Sequence, residues 1–397
     1  MKKLLMATAA TALTAAGALA GGHEKDIKLG ILFGFTGPIE SLIPPMAAAV
    51  EMAMKEVTDS GLLLGGTKVS GVNGDTGCID AGMATASAER VITAEGVKGI
   101  IGADCSGVTG SVLSNVALPN GIVMISPSAT SPALSTLEDN GLFFRTSPSD
   151  ARQGAVMTEV LIEEGVKEVA LTYTNNDYGK GVADSFKAAF EAEGGVVTIT
   201  AAHEDGKADY SAEVGALAAA GGERLVVAGY VDQGGSGIVR AALDSGAFDL
   251  FHFSDGMIGD RLEENFGSEI DGSGGQHPGT DSPGGERFVD MVGGAFDATS
   301  PFTPESYDAA ALMMLAMQAA GSVESADYKT KVVEVANAPG EKIFPGELGK
   351  ALRILADGGD VDYVGATAVE LIGPGESAGN YRQIVIENGK ITTKRYR

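Results

Sequence analysis

Apolar and polar positions recur along this chain with two different periods. Short runs of apolar and β-branched residues, such as residues 27–34 and 168–174, are typical of buried strands. Ala-rich stretches follow these runs, and in residues 45–57 the apolar side chains recur at helical spacing on one face. This regular alternation of strand and helix predicts an α/β fold with parallel sheets.

The predicted elements fall into two series of similar size. The first contains strands 27–34, 68–73, 97–101, 122–126 and 142–145 with helices 45–57, 80–94 and 107–116. The second contains strands 168–174, 196–201, 225–229 and 250–254 with helices 151–163, 181–192, 208–220 and 238–245. Two consecutive doubly wound series favour two similar domains over one large sheet.

The last part of the chain is less regular. Residues 272–285 are rich in Gly, Ser and Pro, which indicates either a loop or crossing segment between domains or a flexible surface insertion. Beyond this segment the pattern predicts helices 304–320 and 345–357, strands 364–372 and 383–387, and a turn at Asn388-Gly389.

The first twenty residues have the pattern of a secretory signal peptide. Lys2 and Lys3 precede an apolar, Ala-rich run over residues 4–19, and Ala18-Leu19-Ala20 forms a small-residue cleavage site. The run is too short and too rich in Ala to serve as a membrane anchor. We therefore expect residues 1–20 to be removed and the mature protein to be exported.

Charge narrows the choice of partners. The formal net charge is −25 at pH 7, which argues against nucleic acid and against anionic membrane surfaces. Solubility of an exported protein is a sufficient reason for this acidity, so we infer no cationic partner from it.

Two cysteines, Cys78 and Cys105, both fall in the exported part of the chain. In an oxidising compartment a single pair favours one disulfide, and adjacent parallel strands would bring the two loops together. A metal or redox pair is the alternative, but there is no C-x-x-C and the four His show no metal-ligand spacing. We expect a disulfide, and neither a metal nor a cofactor.

Small hydroxyl residues follow two neighbouring strands within residues 102–132. Ser106 and Thr109 lie after the first strand, and Ser126, Ser128 and Thr130 lie at or after the second. In an open parallel sheet, ligands bind in the crevice at the carboxyl ends of the strands. Hydroxyls and free backbone N–H groups at this place suit a small ligand that bears a carboxylate.

The sequence lacks the motifs of two enzyme classes that use this scaffold. An α/β hydrolase needs G-x-S-x-G, but Ser106 lies in D-C-S-G-V, which has no leading Gly. A dinucleotide enzyme needs G-x-G-x-x-G after the first strand, and Gly30, Gly34 and Gly37 do not give that spacing. The chain is therefore predicted to bind a small polar molecule and not to act as an enzyme.

Several short motifs, each present once, follow one another in a specific order along the mature chain. They are IKLGILFGFTGP at residues 27–38, Cys105-Ser106, SPSATSP at 126–132, Phe144-Arg145-Thr146 with Asp150, Tyr178-Gly179, Gly229-Tyr230, Ser306-Tyr307-Asp308 and LADGGDVDYVG at 355–365. In this order they resemble the periplasmic branched-chain amino-acid binding proteins, the Leu/Ile/Val-binding, type I class of substrate-binding proteins of ABC importers.

The resemblance implies two Rossmann-like lobes joined by a hinge of three crossings. On this basis lobe 1 comprises residues 24–148 plus 277–378, and lobe 2 comprises residues 149–276 plus 379–397. The lobes would close on a small amino acid, and an ABC permease in the inner membrane would recognise the closed monomer. Alternatives on the same fold are binding of an amide, a urea or another small amine, or a role as a ligand sensor; an exported hydrolase is less favoured.

The resemblance also assigns ligand contacts. Ser106 would hold the α-carboxylate of the ligand, and Ser128 and Thr130 would contact its carboxylate and ammonium. Tyr178 and Tyr230 would close over the ligand from the second lobe.

An acid and an apolar residue complete the expected site. Asp255 would pair with the α-ammonium, because a desolvated ammonium needs a charged, hydrogen-bonded partner. Leu42 lies nearest to the position where the family often has an aromatic residue against the ligand side chain. Leu42 would line an aliphatic pocket; the less favoured alternative is that Glu40 or Ser41 turns inward and selects a polar or basic side chain.

Overall fold

The computed structural model describes residues 26–397, so the expected signal peptide at residues 1–20 lies outside the described residues. Its strands, in chain order, are β1 (Ile27–Phe33), β2 (Val69–Asp75), β3 (Ile100–Gly102), β4 (Met124–Ser126), β5 (Phe143–Pro148), β6 (Glu168–Thr174), β7 (Val196–His203), β8 (Arg224–Ala228), β9 (Phe251–Phe253), β10 (Gly274–Pro278), β11 (Glu341–Ile343), β12 (Val361–Tyr363), β13 (Leu371–Ile372), β14 (Glu376–Ser377), β15 (Tyr381–Glu387) and β16 (Lys390–Tyr396).

Helices connect most of these strands. In chain order they are α1 (Ile43–Ser60), α2 (Ala81–Glu89), α3 (Ser106–Val112), α4 (Leu118–Asn120), α5 (Asp150–Glu163), α6 (Asp177–Ala192), α7 (Ser211–Ala220), α8 (Gly234–Ser245), α9 (Asp260–Phe266), α10 (Pro283–Val292), α11 (Thr303–Ala320), α12 (Ser325–Tyr328), α13 (Lys331–Ala336) and α14 (Leu348–Ala356). Across residues 26–397, no helix is both long enough and apolar enough to span a bilayer.

Two seven-stranded sheets repeat one topology. Sheet I has the order β13-β14-β5-β4-β3-β1-β2, and sheet II has the order β16-β15-β10-β9-β8-β6-β7. The pairs among β1–β5 and among β6–β10 are parallel, and antiparallel pairs close the far edge of each sheet. The first strand of each series lies between the next two, which creates a topological switch point beside β1 and another beside β6.

The chain passes between the sheets three times: from β5 to α5 and β6, from β10 to α10, and from β14 to β15. We call the part of the molecule built on sheet I lobe I, and the part built on sheet II lobe II. The predicted fold class, two doubly wound lobes joined by three crossings, is confirmed. The predicted residue limits of the lobes stay a prediction.

Helix α11 supports lobe I from within. Fifteen of its eighteen residues are buried, and it packs against α1, α13 and α14. A helix that is buried on nearly all sides belongs in a core, and small residues at Ala309, Ala310 and Ala311 allow its neighbours to approach. Its first turn lies at the hinge, so packing in lobe I fixes the residues that α11 presents there.

The prediction of a loop or surface insertion at residues 272–285 is wrong for its first half. Gly274–Pro278 is β10, which is fully buried and paired with β9 and β15, and the crossing to α10 is limited to residues 279–282. Glycine is needed in this strand for packing: a Cβ on Gly275 would lie 2.5 Å from the carbonyl oxygen of Phe253. Local composition therefore indicated a loop where tertiary packing requires a strand that begins with two glycines.

The predicted strand at residues 364–372 is mostly a turn, and only Leu371–Ile372 is extended in a sheet. The buried Asp308 carboxylate on α11 accepts hydrogen bonds from the backbone N–H groups of Ala366 and Thr367 at 2.8 and 2.9 Å. Gly365 adopts φ +60°, which permits the turn around this carboxylate. A distant buried acid therefore overrides the local strand pattern.

Cys78 and Cys105 form the expected disulfide, with their Cα atoms 5.2 Å apart. The expectation that their strands are adjacent is wrong, because β2 and β3 flank β1 on opposite sides. The disulfide therefore connects the loops after β2 and β3 across the carboxyl end of β1.

Removing this crosslink should destabilise the protein. We expect the Cys78→Ser/Cys105→Ser double variant to lose about 3 kcal/mol of unfolding free energy, because the open chain gains conformational entropy when it unfolds. Urea titration measures the change. Wild-type protein treated with a thiol reductant is the matched control and should approach the variant; equal midpoints for oxidised wild type and the double variant would contradict the prediction.

Candidate functional site

A narrow cavity lies where the carboxyl ends of the parallel strands of the two sheets face each other. This is the place where open α/β sheets bind ligands. Both lobes contribute to its wall, which is mostly apolar and aromatic with a few polar groups, as in small-molecule sites generally. The lining residues are Ile39, Leu42, Asp104, Cys105, Ser106, Ser128, Tyr178, Tyr230, Asp255, Gly256 and Phe302.

Ser106 and Ser128 present hydroxyls of different hydrogen-bonding capacity. Ser106 is the first residue of α3, and its Oγ accepts a hydrogen bond from the backbone N–H of Ser131 at 3.0 Å. The Ser128 Oγ instead donates to the carbonyl oxygen of Asp104 at 2.9 Å. Ser106 therefore keeps a proton to donate to a ligand, whereas Ser128 keeps lone pairs to accept from one.

Asp104 holds together the strand ends of lobe I. Its side chain is 1% exposed, and its two oxygens accept from the Gly34 N–H at 2.6 Å and from the Thr76 hydroxyl at 2.8 Å. Burial raises the pKa of this carboxyl, and the donors of Gly34 and Thr76 oppose that effect. The ends of β1, β2 and β3 are thereby linked through one carboxylate.

Asp255 occupies the equivalent place in lobe II, directly after β9, and is fully buried. Its Oδ1 accepts from the Tyr178 hydroxyl at 2.5 Å and from the Gly256 N–H at 2.8 Å, and its Oδ2 accepts from the Gln153 amide at 2.7 Å. Burial raises its pKa to about 6, against the effect of the Tyr178 and Gln153 hydrogen bonds. All of these donors are neutral.

Tyr178 and Tyr230 stack with their ring centroids 5.1 Å apart and form an aromatic face of the cavity. Tyr178 lies in the first turn of α6, which begins at Asp177 and not at residue 181 as predicted. Asn176 caps this helix by accepting from the Gly179 N–H at 3.0 Å. The cap aims Tyr178 towards Asp255.

Of the seven ligand-contact residues expected from the sequence, the structure places six in the cavity wall and one behind it. The six are Leu42, Ser106, Ser128, Tyr178, Tyr230 and Asp255. Thr130 is fully buried and does not line the cavity; its carbonyl oxygen accepts from the Asp150 N–H at 2.8 Å, and its hydroxyl has no hydrogen-bond partner among residues 26–397.

Leu42 is 2% exposed and lies in the wall, whereas Glu40 is exposed to solvent. The alternative in which Glu40 turns inward is therefore wrong. The Ser41 N–H donates to the Asp232 carboxylate at 2.8 Å, and the Asp232 N–H donates to the Pro38 carbonyl oxygen at 3.1 Å. Because Asp232 follows β8 of lobe II, these hydrogen bonds hold the two lobes together at the edge of the cavity.

Sequence reasoning missed three acids at or near the site: Asp104, Asp150 and Glu305. Asp150 shares the Gln153 amide with Asp255, since Gln153 Nε2 also lies 3.2 Å from Asp150 Oδ1. Burial and the charge of Asp255 raise the pKa of Asp150 well above its usual value. Burial raises the pKa of Glu305 to about 8, and the charges of Asp308 and Asp255 add to this effect.

One signal in the sequence could have identified these acids. Asp150 directly follows the first predicted crossing, where residues of a buried cleft are expected, and Glu305 lies in the first turn of the predicted helix 304–320. Asp104 lies at a strand end, next to a cysteine of the predicted disulfide. Its position was considered only as part of the D-C-S-G-V segment that lacks the hydrolase motif. Phe302, also in the wall, directly precedes α11 and carries no local signal.

The arrangement can bind a small polar molecule between two lobes, with donors on one side and a carboxylate on the other. Its wall contains no His, Lys or Arg. Within residues 26–397, no three His, Cys, Asp or Glu side chains form a group suited to holding a metal ion. These features define a ligand-binding protein with two lobes.

Comparison with known proteins gives the family. The sequence profile of the family described as "Periplasmic binding protein" matches residues 26–349, so the chain belongs to that family. It is 30% identical over 334 residues to the Leu/Ile/Val-binding protein homolog 1 of Brucella melitensis, covering 81% of this chain and 85% of the relative.

Solved structures show the same fold. A leucine-binding protein from Thermotoga maritima superimposes with a TM-score of 0.78 at 20% identity, covering 93% of this chain and 98% of that one. A branched-chain amino acid transporter substrate-binding protein from Streptococcus pneumoniae, in complex with isoleucine, gives a TM-score of 0.76 at 20% identity, with coverage of 94% and 99%.

The buried acid Glu305 should make stability depend on pH. Because its pKa in the folded state is about 8, the folded protein keeps a proton that the unfolded chain releases above its usual pKa of 4.5. This stabilising contribution is complete below that value and is lost as pH rises through 8. Glu305→Gln cannot ionise, so its stability relative to wild type should rise by more than about 1 kcal/mol between acidic pH and pH 8.

Urea unfolding of both proteins across this pH range measures the difference. Glu286→Gln is the matched control, because it makes the same substitution at an exposed position of α10, away from the buried acids. A constant difference between wild type and Glu305→Gln over the same range would show that Glu305 ionises normally in the folded protein.

Proposed function

We propose that this protein is the periplasmic substrate-binding protein of an ABC importer and that it captures a small α-amino acid between its lobes. One observation carries the proposal: the cavity opposes a free hydroxyl donor on lobe I, Ser106, to a buried carboxylate on lobe II, Asp255. The relatives named as Leu/Ile/Val-binding proteins and the isoleucine complex of a structural neighbour support an amino-acid ligand.

The two ends of an amino acid fit the two sides of the cavity. The Ser106 hydroxyl donates to the α-carboxylate. The Ser128 hydroxyl already donates its proton to the carbonyl oxygen of Asp104, so it accepts from the α-ammonium. Asp255 supplies the opposite charge to the ammonium, which a desolvated cation needs. Leu42, Ile39 and Phe302 then surround the ligand side chain.

Capture and release follow from hinge motion between the lobes. On the proposed limits, residues 24–148 plus 277–378 move against residues 149–276 plus 379–397, and the ligand stabilises the closed form because it contacts both sides. A permease in the inner membrane then recognises the closed monomer after the signal peptide has been removed. The protein delivers its ligand unchanged and is not an enzyme.

Thermal shift with a panel of α-amino acids tests the proposal. At least one should raise the melting temperature by several degrees, since a ligand at a hundredfold its Kd adds about 2.7 kcal/mol of stability. The N-acetyl and methyl-ester derivatives of that amino acid are matched controls, because each removes one charged end and should give a much smaller shift. A panel in which no α-amino acid changes the melting temperature would overturn the amino-acid assignment.

The pH dependence of binding tests the role of Asp255. Because its pKa is about 6 in the free protein, the carboxyl group is neutral at lower pH and must lose a proton before it can pair with an ammonium. We expect the affinity for the tightest-binding amino acid to fall about tenfold for each pH unit below 6 and to stay level above about pH 7. Isothermal titration calorimetry measures it.

Asp255→Asn provides the control for this measurement. The variant cannot carry the charge, so it should bind weakly at every pH and should show no slope between acidic and neutral pH. If the variant keeps the slope of the wild type, another group controls binding and Asp255 does not hold the ammonium.

A further inference from the structure

Hydrogen bonds join the two lobes at two kinds of place within residues 26–397. Some lie beside the crossings, as where Arg382 donates to the carbonyl oxygen of Thr299 at 3.2 Å. The others lie away from the crossings and all belong to Asp232, in the loop after β8 of lobe II. Contacts beside a hinge change little when it opens, whereas contacts away from it must break.

Asp232 makes two hydrogen bonds to the loop after β1 of lobe I, one in each direction. Its Oδ2 accepts from the Ser41 N–H at 2.8 Å, and its own N–H donates to the carbonyl oxygen of Pro38 at 3.1 Å. The Asp232 side chain is only 8% exposed, so water competes little for these bonds. We call the contacts of Asp232 with Pro38 and Ser41 the latch.

The lobes also approach closely beside the latch. A Cβ on Gly259 of lobe II would lie 2.8 Å from Cδ2 of Leu42, which follows the latch residues in lobe I. Leu42 is at the same time part of the cavity wall. The latch therefore belongs to the arrangement in which the lobes are closed over the cavity.

No residue of the latch lines the cavity. Pro38, Ser41 and Asp232 are all absent from its wall, so their hydrogen bonds do not depend on which ligand is bound. A ligand that needs the closed form binds with an affinity reduced by the fraction of protein that can close. Contacts that stabilise the closed form without meeting the ligand therefore change the affinity for all ligands alike.

We propose that Asp232 is a positioning residue for ligand capture: it holds the lobes closed without touching the ligand and scales the affinity for every ligand by one factor. The proposal rests on the proposed function, because it needs a ligand that is enclosed by moving lobes. The latch forms after the ligand has entered, so it acts on the rate of release and not on the rate of encounter.

Asp232→Ala tests the proposal with leucine and valine as probes. Calorimetry should show that both amino acids bind about three- to tenfold more weakly, the loss expected for one hydrogen bond. Stopped-flow measurements should place the loss in the dissociation rate. Unchanged affinities, a loss for one amino acid only, or a loss confined to the association rate would overturn the proposal.

Two further variants separate the latch from other roles of Asp232. Ser41→Ala is the matched control and should bind as the wild type does, because it keeps the backbone N–H and removes a hydroxyl without a hydrogen-bond partner in residues 26–397. Asp232→Asn keeps an oxygen that can accept from Ser41, so it should lose less affinity than Asp232→Ala. Equal losses in the two Asp232 variants would assign the effect to its charge, 3.7 Å from Arg261, and overturn the latch.

Hydrogen exchange of the ligand-free protein tests the latch without any ligand. The N–H of residue 232 donates to Pro38 across the lobes and is retained in Asp232→Ala, so its exchange reports opening. Relative to its intrinsic rate, this N–H should exchange at least about threefold faster in Asp232→Ala than in the wild type or Ser41→Ala. Asp232→Asn should show a smaller rise and serves the same purpose if Asp232→Ala does not fold.

The two measurements fail in different ways. Unchanged exchange at residue 232 would overturn the latch even if amino acids bind as proposed. Faster exchange together with no binding of leucine, valine or any other α-amino acid would overturn the proposed function and support the latch between the lobes.

Discussion

The buried carboxylate of Asp255 holds together the parts of lobe II that line the cavity. Each of its hydrogen bonds comes from a different part of that lobe: Gln153 from α5, Tyr178 from α6 and Gly256 from the loop after β9. A buried charge is tolerated only where hydrogen bonds satisfy it, so these elements are held in fixed relation to one another. Tyr230 stacks on Tyr178, so the loop after β8 is held in place by the same group of contacts.

Lobe I is organised in the same way around Asp104. Its carboxylate joins the ends of β1 and β2, and its carbonyl oxygen accepts from Ser128 in the loop after β4. The disulfide between Cys78 and Cys105 reinforces this arrangement from the neighbouring residues. Because each lobe is fixed internally by one buried acid, relative motion is left to the three crossings and to the contacts of Asp232 at the cavity edge.

Most of the fold, and much of the candidate site, could be predicted from the sequence. Strands and helices of a parallel α/β fold have strong local periodicity, and polar residues just after strands such as β3, β8 and β9 must meet at one edge of a sheet. This reasoning predicts a ligand crevice at Ser106, and the resemblance to the branched-chain amino-acid binding proteins adds Tyr230 and Asp255 to the same site.

What could not be predicted depends on distant contacts. Gly275 in β10 has no side chain because the carbonyl oxygen of Phe253 leaves no room for one, and the turn at Ala366 exists because Asp308 on α11 binds its backbone. The strand order that separates β2 from β3 is likewise a property of the whole sheet. Thr130 lies behind the cavity for a similar reason: its backbone carbonyl holds the first turn of α5 through Asp150.

The hydrogen bonds within lobe I give the two serine hydroxyls of the cavity wall different capacities. Because Ser131 donates to Ser106 and Ser128 donates to Asp104, one hydroxyl can still donate and the other can still accept. Two equivalent serines would accept a ligand in either orientation, whereas this pair favours a carboxylate at Ser106 and a nitrogen at Ser128.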